Sequence, residues 1–223
     1  MGKLIQNISV RLGLFFFGKR KPLSYCIFNF LFSIFVTNNS INTKIITKFK
    51  TKGFTKLNEN FSDEIEQASI YLKETEKTNK AQTHYKLDLN TKSKIIQIFS
   101  KKMEYVLNEL DQYYNYKPAI VDATVWTNHN YKRDDIRNSD TISESFHCDG
   151  YLSNYLKIHI NFQDVGENDG AMTIVEKNKS KKFLKDFEYS DRYSYKREIS
   201  KEMPYIYKNV GQKGEALLFD AAN

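Results

Sequence analysis

Apolar residues recur with helical spacing before Pro118 and with strand spacing after it. The longest helical stripe lies between Thr91 and Tyr113 and consists of Ile95, Ile98, Phe99, Met103, Val106, Leu107 and Leu110. Apolar residues three and four apart share one face, so this stripe predicts a core-facing helix of about five or six turns. Ile65, Ala68 and Leu72 form a shorter stripe, which predicts a second helix from Ser62, with Asp63 and Glu64 favouring the positive end of its dipole.

Strand spacing is clearest between Tyr155 and Val165, where Leu156, Ile158, Ile160 and Phe162 alternate with Lys157, His159, Asn161 and Gln163. Shorter strands are predicted at Gly53–Leu57, Ala119–Trp126, Ala171–Val175, Tyr205–Asn209 and Glu215–Phe219, with turns at Glu167–Gly170 and Gly211–Gly214. Several short strands after a helical first half predict an α+β fold, in which a jelly-roll-like double sheet is backed by helices.

Residues 1–47 differ in composition from residues 48–223. Two apolar runs, Arg11–Gly18 and Leu23–Val36, lie on either side of the basic cluster Lys19-Arg20-Lys21. Neither run reaches the ~20 residues of a membrane-spanning helix, and no cleavage pattern typical of a secretory signal follows. We expect a helical segment that either packs on the following domain or lies on a membrane surface.

Composition limits the other classes. A chain of 223 residues with 40% hydrophobic residues fits one domain with one substantial core. The net charge is +7, but the lysines are scattered and form no stripe, so we expect no nucleic-acid partner. Cys26 and Cys148 do not make a disulfide framework, which favours a cytoplasmic protein, with contact to a membrane periphery through the N-terminus as an alternative.

Candidate metal chemistry lies in Ser145–Tyr151, which carries His147 and Asp149 two residues apart. On an extended backbone these two side chains point to the same side, while Cys148 points to the other and is expected to be buried. Two imidazoles and one carboxylate are the usual ligands of Fe(II) in non-haem oxygenases. His159 is a weaker candidate for a ligand, and is expected to line a pocket or face solvent.

Three further aromatic or imidazole side chains have ordinary interpretations. His84 and His129 lie in polar surroundings, which favours surface positions. Trp126 is expected in the core or in a pocket wall. The basic, tyrosine-rich stretch Lys177–Tyr207 predicts a long loop over the mouth of the barrel, where substrate specificity would be decided.

Four elements in this order resemble the phytanoyl-CoA dioxygenase-like family of Fe(II)- and 2-oxoglutarate-dependent oxygenases. They are His147-x-Asp149, Leu156–Val165, Glu167–Met172 and Gly211–Asp220. The resemblance spans about residues 48–223 and implies a double-stranded β-helix, also called a jelly roll or cupin-like fold. It implies that His147 and Asp149 bind Fe(II), and that oxidation of 2-oxoglutarate to succinate drives hydroxylation of a small-molecule substrate. Lys157 would lie within reach of a co-substrate carboxylate.

The chain departs from this family at one point. The resemblance places a distal histidine, and then a basic residue for 2-oxoglutarate, after the strand that ends near Asp220 and beyond Asn223. We therefore expect either a fragment of a longer oxygenase or a C-terminally truncated gene product, with the last part of its barrel missing and only two of three iron ligands present. These residues alone are then expected to be inactive. The alternatives are a non-catalytic jelly-roll binding module and a membrane-surface-associated basic protein.

Overall fold

The computed structural model describes residues 43–72, 82–115, 118–129, 156–180 and 206–221, the shorter stretches 23–36, 75–77 and 182–183, and positions 5, 8, 9, 11–13 and 15. Of these residues, 48% are helical and 20% lie in strands, and the strands form small antiparallel sheets. The fold is therefore mixed α and β, which confirms the sequence prediction at that coarse level.

Four α-helices are described from end to end: α1 (Leu23–Val36), α2 (Lys44–Lys52), α3 (Ser62–Ser69) and α4 (Leu89–Tyr114). The first backbone N–H groups of a helix lack partners within it. In two of the helices a side chain accepts a hydrogen bond from one of these groups and so caps the helix. The Thr43 hydroxyl accepts from Ile46 N at 3.2 Å before α2, and the Asp88 carboxylate accepts from Thr91 N at 2.7 Å before α4. Helix α2 ends at Gly53, whose φ of 78° is a conformation that glycine adopts without strain.

Eight strands are described, in three sheets. They are β1 (Phe54–Lys56), β2 (Thr75–Lys77), β3 (Gln82–Tyr85), β4 (Trp126–Asn128), β5 (Leu156–Ile160), β6 (Thr173–Val175), β7 (Ile206–Lys208) and β8 (Ala216–Asp220). The strand orders are β1-β8-β5, β2-β3-β4 and β6-β7, and every pair is antiparallel.

The pairing of the last four strands is nested. Strand β5 pairs with β8 over its whole length, and the two strands between them in sequence, β6 and β7, pair with each other in a separate sheet. A bridge between Val165 and Gly211 continues the outer pair toward the inner one. The outer pair β5·β8 and the inner pair β6·β7 are thus nested in sequence but lie in different sheets.

The hydrophobic core lies between the helices and one face of the β1-β8-β5 sheet. Its buried members come from α2, α3, α4, β8 and the segment after β1: Ile45, Ile46, Phe49, Leu57, Phe61, Ile65, Ala68, Ile95, Phe99, Met103, Val106, Leu110, Tyr114, Ala216 and Leu218. Leu156, Ile158, Ile160 and Phe162 pack against them. The apolar stripes predicted for α3 and α4 and for β5 are therefore confirmed as core.

Strand lengths in the structure differ from those in the sequence pattern. The strand predicted at Ala119–Trp126 is wrong: residues 118–125 have no regular structure, and β4 begins only at Trp126, where β3 offers a pairing partner. The predicted strand Tyr155–Val165 forms β5 only up to Ile160, and the chain bends at Phe162 and Gln163. Alternation persists beyond the point where the neighbouring strand ends, so it overestimates strand length.

The first half of the chain contains more strand than the sequence pattern predicts. Strands β2 and β3 form a hairpin between α3 and α4, and β3 also pairs with β4. Helix α2 extends across residue 47, and its Ile45 and Ile46 belong to the main core. The core of the domain predicted at 48–223 therefore includes residues before that boundary. No helix in the described part of the chain is both long and apolar enough to cross a membrane.

Candidate functional site

The two predicted iron ligands, His147 and Asp149, lie outside the described residues, as does Cys148. The segment that contains them directly precedes β5. Lys157 and His159, the other two predicted site residues, lie on β5 and are half-buried. The described part of the site consists of β5, which follows the His-x-Asp segment in sequence, and of the elements packed against it.

The β1-β8-β5 sheet has two different faces. Ala216 and Leu218 of β8 point to the helical core, so the alternate residues Leu217 and Phe219 point away from it. Residues directly opposite each other in an antiparallel pair share a face, and Lys157 and His159 are paired with Phe219 and Leu217. By the same register, Phe54 and Lys56 of β1 lie on this second face, which we call the distal face.

The distal face is covered by side chains from the other two sheets. The ring of Tyr207 on β7 stacks on Phe54 with centroids 4.5 Å apart, and the ring of Trp126 on β4 lies 6.1 Å from that of His159. Leu217 and Phe54 are buried between these layers. The distal face is thus an interior surface that combines apolar side chains with Lys56, Lys157, His159 and Asn161.

The surroundings of His159 favour the neutral form of its imidazole. Burial lowers the pKa of its imidazole below the ordinary value of 6.5, because removal from water disfavours the charged ring. The neighbouring Asn161 amide opposes this effect but does not cancel it. A neutral imidazole has one nitrogen free to accept a hydrogen bond or bind a metal. The prediction that His159 lines a pocket is consistent with this position.

Asn161 is the most deeply buried polar side chain next to His159, with 3% of its surface exposed. Its backbone is well satisfied, since its N–H donates to Glu215 O at 3.0 Å and its carbonyl accepts from Gly214 N at 2.8 Å. Within the described part of the chain its side-chain amide has no hydrogen-bond partner of good geometry, although it is close enough to influence the pKa of His159. Gly211 lies beside it, and a Cβ there would be 3.4 Å from Asn161 Nδ2.

The sequence interpretation of the other histidines is half right. His129 is exposed, as predicted, and its Nε2 lies 2.7 Å from the Thr83 hydroxyl. His84 is half-buried instead of surface-exposed, because β3 places its ring 6.2 Å from that of Trp126. Trp126 is 38% exposed and is not a core residue; it forms part of a wall between His84 and His159.

The sequence does not predict an ion pair that lies at the edge of the distal face. Lys56 Nζ lies 2.5 Å from Glu215 Oε2 and donates to Val210 O at 3.0 Å. The hydrogen bond from Lys56 lowers the pKa of Glu215 below its ordinary value. Both side chains are more than a third exposed, so the pair contributes little to stability. Nothing local indicates this contact, because it joins residues 159 positions apart.

Within the described ranges, no three histidine, cysteine, aspartate or glutamate side chains are close enough to hold a metal ion. The described part of the site therefore offers His159 as an isolated imidazole, and a metal centre would depend on His147 and Asp149. Comparisons with protein-family models, with curated proteins and with solved structures found no match to this chain. Inferences about function accordingly depend on the residues and their arrangement.

Proposed function

We propose that residues 48–223 belong to a jelly-roll domain of an Fe(II)- and 2-oxoglutarate-dependent dioxygenase that oxidises a small molecule. The observation that carries this proposal is the nested pairing of β5 with β8 around β6 and β7, with His147-x-Asp149 in the segment directly before β5. The proposal joins this strand topology to a candidate pair of metal ligands that precedes β5 in the sequence.

The nested pairing supports the jelly-roll part of the proposal. A jelly roll consists of two antiparallel sheets in which successive nested strand pairs belong alternately to one sheet and to the other. The pair β5·β8 lies in the sheet that packs on the helices, and the pair β6·β7 contacts the distal face of that sheet through Tyr207 and Phe54. Such a double layer provides an interior surface on which a ligand can be held away from water.

The donor set fits iron. On an extended backbone, an imidazole and a carboxylate two positions apart would lie on one side and match two of the three ligands that Fe(II) has in oxygenases. His147 and Asp149 would hold the ion, and the resemblance places the third ligand after β8. When bound, the iron would supply the activation of dioxygen that couples oxidation of 2-oxoglutarate to oxidation of a substrate C–H bond.

The residues of the distal face would orient the co-substrate and exclude water. Lys157 lies on β5 beside His159, where an ammonium group is suited to a carboxylate of 2-oxoglutarate. Phe54, Tyr207 and Phe219 supply an apolar surround for a reactive centre. His159, which burial keeps neutral, could accept a hydrogen bond from a bound molecule without adding charge.

The test is succinate release from 2-oxoglutarate in the presence of Fe(II), air and a small-molecule fraction of cell extract as substrate. It should be made on the protein as its gene encodes it. We expect release that falls in His147→Ala and Asp149→Ala by more than the roughly 10- to 100-fold that loss of an outer-shell partner costs. Lys157→Met is expected to raise KM for 2-oxoglutarate with a smaller effect on kcat.

His129→Ala is the matched control, because His129 is exposed and directly follows β4, where its ring contacts the Thr83 hydroxyl. It should leave succinate release unchanged. Succinate release that persists in Asp149→Ala would contradict the proposal. Absence of release in the folded wild-type protein would favour the non-catalytic binding module instead.

A further inference from the structure

The N-terminal helical residues expose an unusual amount of apolar surface. Helix α1 contains no charged residue, and five of its large apolar side chains are 42–55% exposed: Ile27, Phe28, Phe30, Leu31 and Ile34. Most of the exposed large hydrophobic side chains in the described part of the chain lie between Ile5 and Ile34. Contiguous exposed apolar surface of this kind marks an interaction site, whereas single exposed apolar residues do not.

The exposed residues of α1 form one continuous arc. Successive residues of a helix are rotated by about 100°, so the five positions fall within about 160° of its circumference. Cys26 lies outside that arc and is buried, with 2% of its surface exposed. We call the five residues the apolar arc. The apolar arc therefore faces outward, whereas Cys26 beside it is buried.

A second set of exposed apolar residues lies next to α1. Ile5, Ile8 and Leu12 are helical and 62%, 51% and 37% exposed, and their spacing of three and four residues puts them on one face. The backbone N–H of Leu23 donates to Ser9 Oγ at 3.0 Å, which ties the start of α1 to this earlier helical stretch. The two apolar surfaces therefore belong to one N-terminal region.

The charge next to this region indicates which partner it fits. Lys19, Arg20 and Lys21 are separated from the start of α1 by Pro22 alone, and the whole chain has a net charge of +7. Two copies of a basic surface repel each other, whereas a bilayer with anionic lipids attracts it. At about 1.5 Å per residue the 14 residues of α1 are roughly 21 Å long, shorter than the ~30 Å hydrocarbon core of a bilayer, so the helix would lie in the membrane plane.

We propose that residues 5–36 dock the protein on an anionic membrane surface. The apolar arc of α1 is inserted at the level of the headgroups, and Lys19-Arg20-Lys21 contacts the lipid phosphates and carboxylates. This proposal does not depend on the dioxygenase proposal, since none of its residues belongs to the distal face.

The test is flotation of the full chain with vesicles of phosphatidylcholine alone and of phosphatidylcholine with about 30% phosphatidylserine. We expect binding to the anionic vesicles. The double variant Ile27→Glu, Leu31→Glu should weaken that binding at least about tenfold, because two inserted apolar side chains are replaced by charges. Replacing Lys19, Arg20 and Lys21 by serine should weaken it on the order of 100-fold, without affecting binding to neutral vesicles.

Ile70→Glu is the matched control, because Ile70 is 65% exposed and lies outside the N-terminal region. This variant should bind vesicles like the wild type. It and the double variant Ile27→Glu, Leu31→Glu should keep the wild-type far-UV circular dichroism, since these three side chains are exposed. Failure of the wild-type chain to float with anionic vesicles would overturn the proposal. So would concentration-dependent self-association that the double variant abolishes, because the apolar arc would then bind a second copy of the chain.

Discussion

At the scale of single residues, the fold changes the pKa of His159, a side chain of the candidate site. Its imidazole lies under Trp126 on the distal face, and burial lowers its pKa below 6.5. The unfolded chain therefore binds a proton to this residue at pH values where the folded chain does not. This linkage destabilises the fold as the pH falls through 6.5 toward the folded-state pKa.

We predict that the free energy of unfolding rises with pH in that window, and that His159→Gln flattens part of the rise. The sign follows from linkage, because stability increases with pH wherever the unfolded state binds more protons. Urea unfolding at a series of pH values measures the effect. His129→Gln, which replaces an exposed histidine outside the distal face, is the matched control.

A direct measurement separates this prediction from any folding defect of the variant. The pKa of His159 in the wild-type protein, followed by nuclear magnetic resonance, should lie below 6.5. An imidazole that titrates at or above 6.5 would contradict the described burial.

Individual contacts are the part of the site that the sequence predicts least well. The alternation of β5 puts Lys157 and His159 on the face opposite Leu156 and Ile158, as the structure confirms. The same pattern does not reveal that Trp126 would cover His159, or that Lys56 would pair with Glu215. These partners come from distant strands, and their contacts depend on which strands become neighbours in the sheet.

At the scale of elements, the start of α2 offers a clear test of local structure. The Thr43 hydroxyl accepts from Ile46 N and donates to Glu109 Oε2 at 2.5 Å, so it caps α2 and ties it to α4. We predict that Thr43→Ala lowers the free energy of unfolding by about 1 kcal/mol, within the 0.5–2 kcal/mol range of lost caps. Chemical denaturation measures it.

The matched control for that variant is Thr51→Ala in the same helix. Thr51 is exposed, and its hydroxyl donates only to Thr47 O, one turn earlier. This substitution should change the free energy of unfolding by no more than about 0.5 kcal/mol. Equal losses in the two variants would mean that the Thr43 cap contributes nothing specific.

Elements with long periodic stripes were predicted well, and so were the short strands β1, β6, β7 and β8, whereas three other short segments were not. Seven residues of α4 were expected as core, and all but Leu107 are found in or against it, because a helix completes its hydrogen bonds within itself. A strand needs a neighbouring strand for its hydrogen bonds. The alternating residues 119–125 pair with no described strand, and Val121 among them is 76% exposed. Strands β2 and β3 lack an apolar run altogether and were missed.

At the scale of the whole molecule, the fold combines a helical layer, a sheet that packs on it and two small sheets on or near the distal face. The sequence predicts the mixed class and the helical layer. It does not predict strand order, since β1 pairs with β8 from the other end of the chain. The nested pairing of β5 to β8 is the feature that links this topology to the proposed iron chemistry of His147 and Asp149.

We propose that His147 and Asp149 bind Fe(II). The most direct test is anaerobic equilibrium dialysis of Fe(II) against the protein as its gene encodes it. We predict a single Fe(II) site per chain, weakened more than about tenfold in His147→Ala and in Asp149→Ala, because each variant removes a ligand. His129→Ala should bind like the wild type. Fe(II) binding that is equally strong in all three variants, or absent from the folded wild-type protein, would contradict the account.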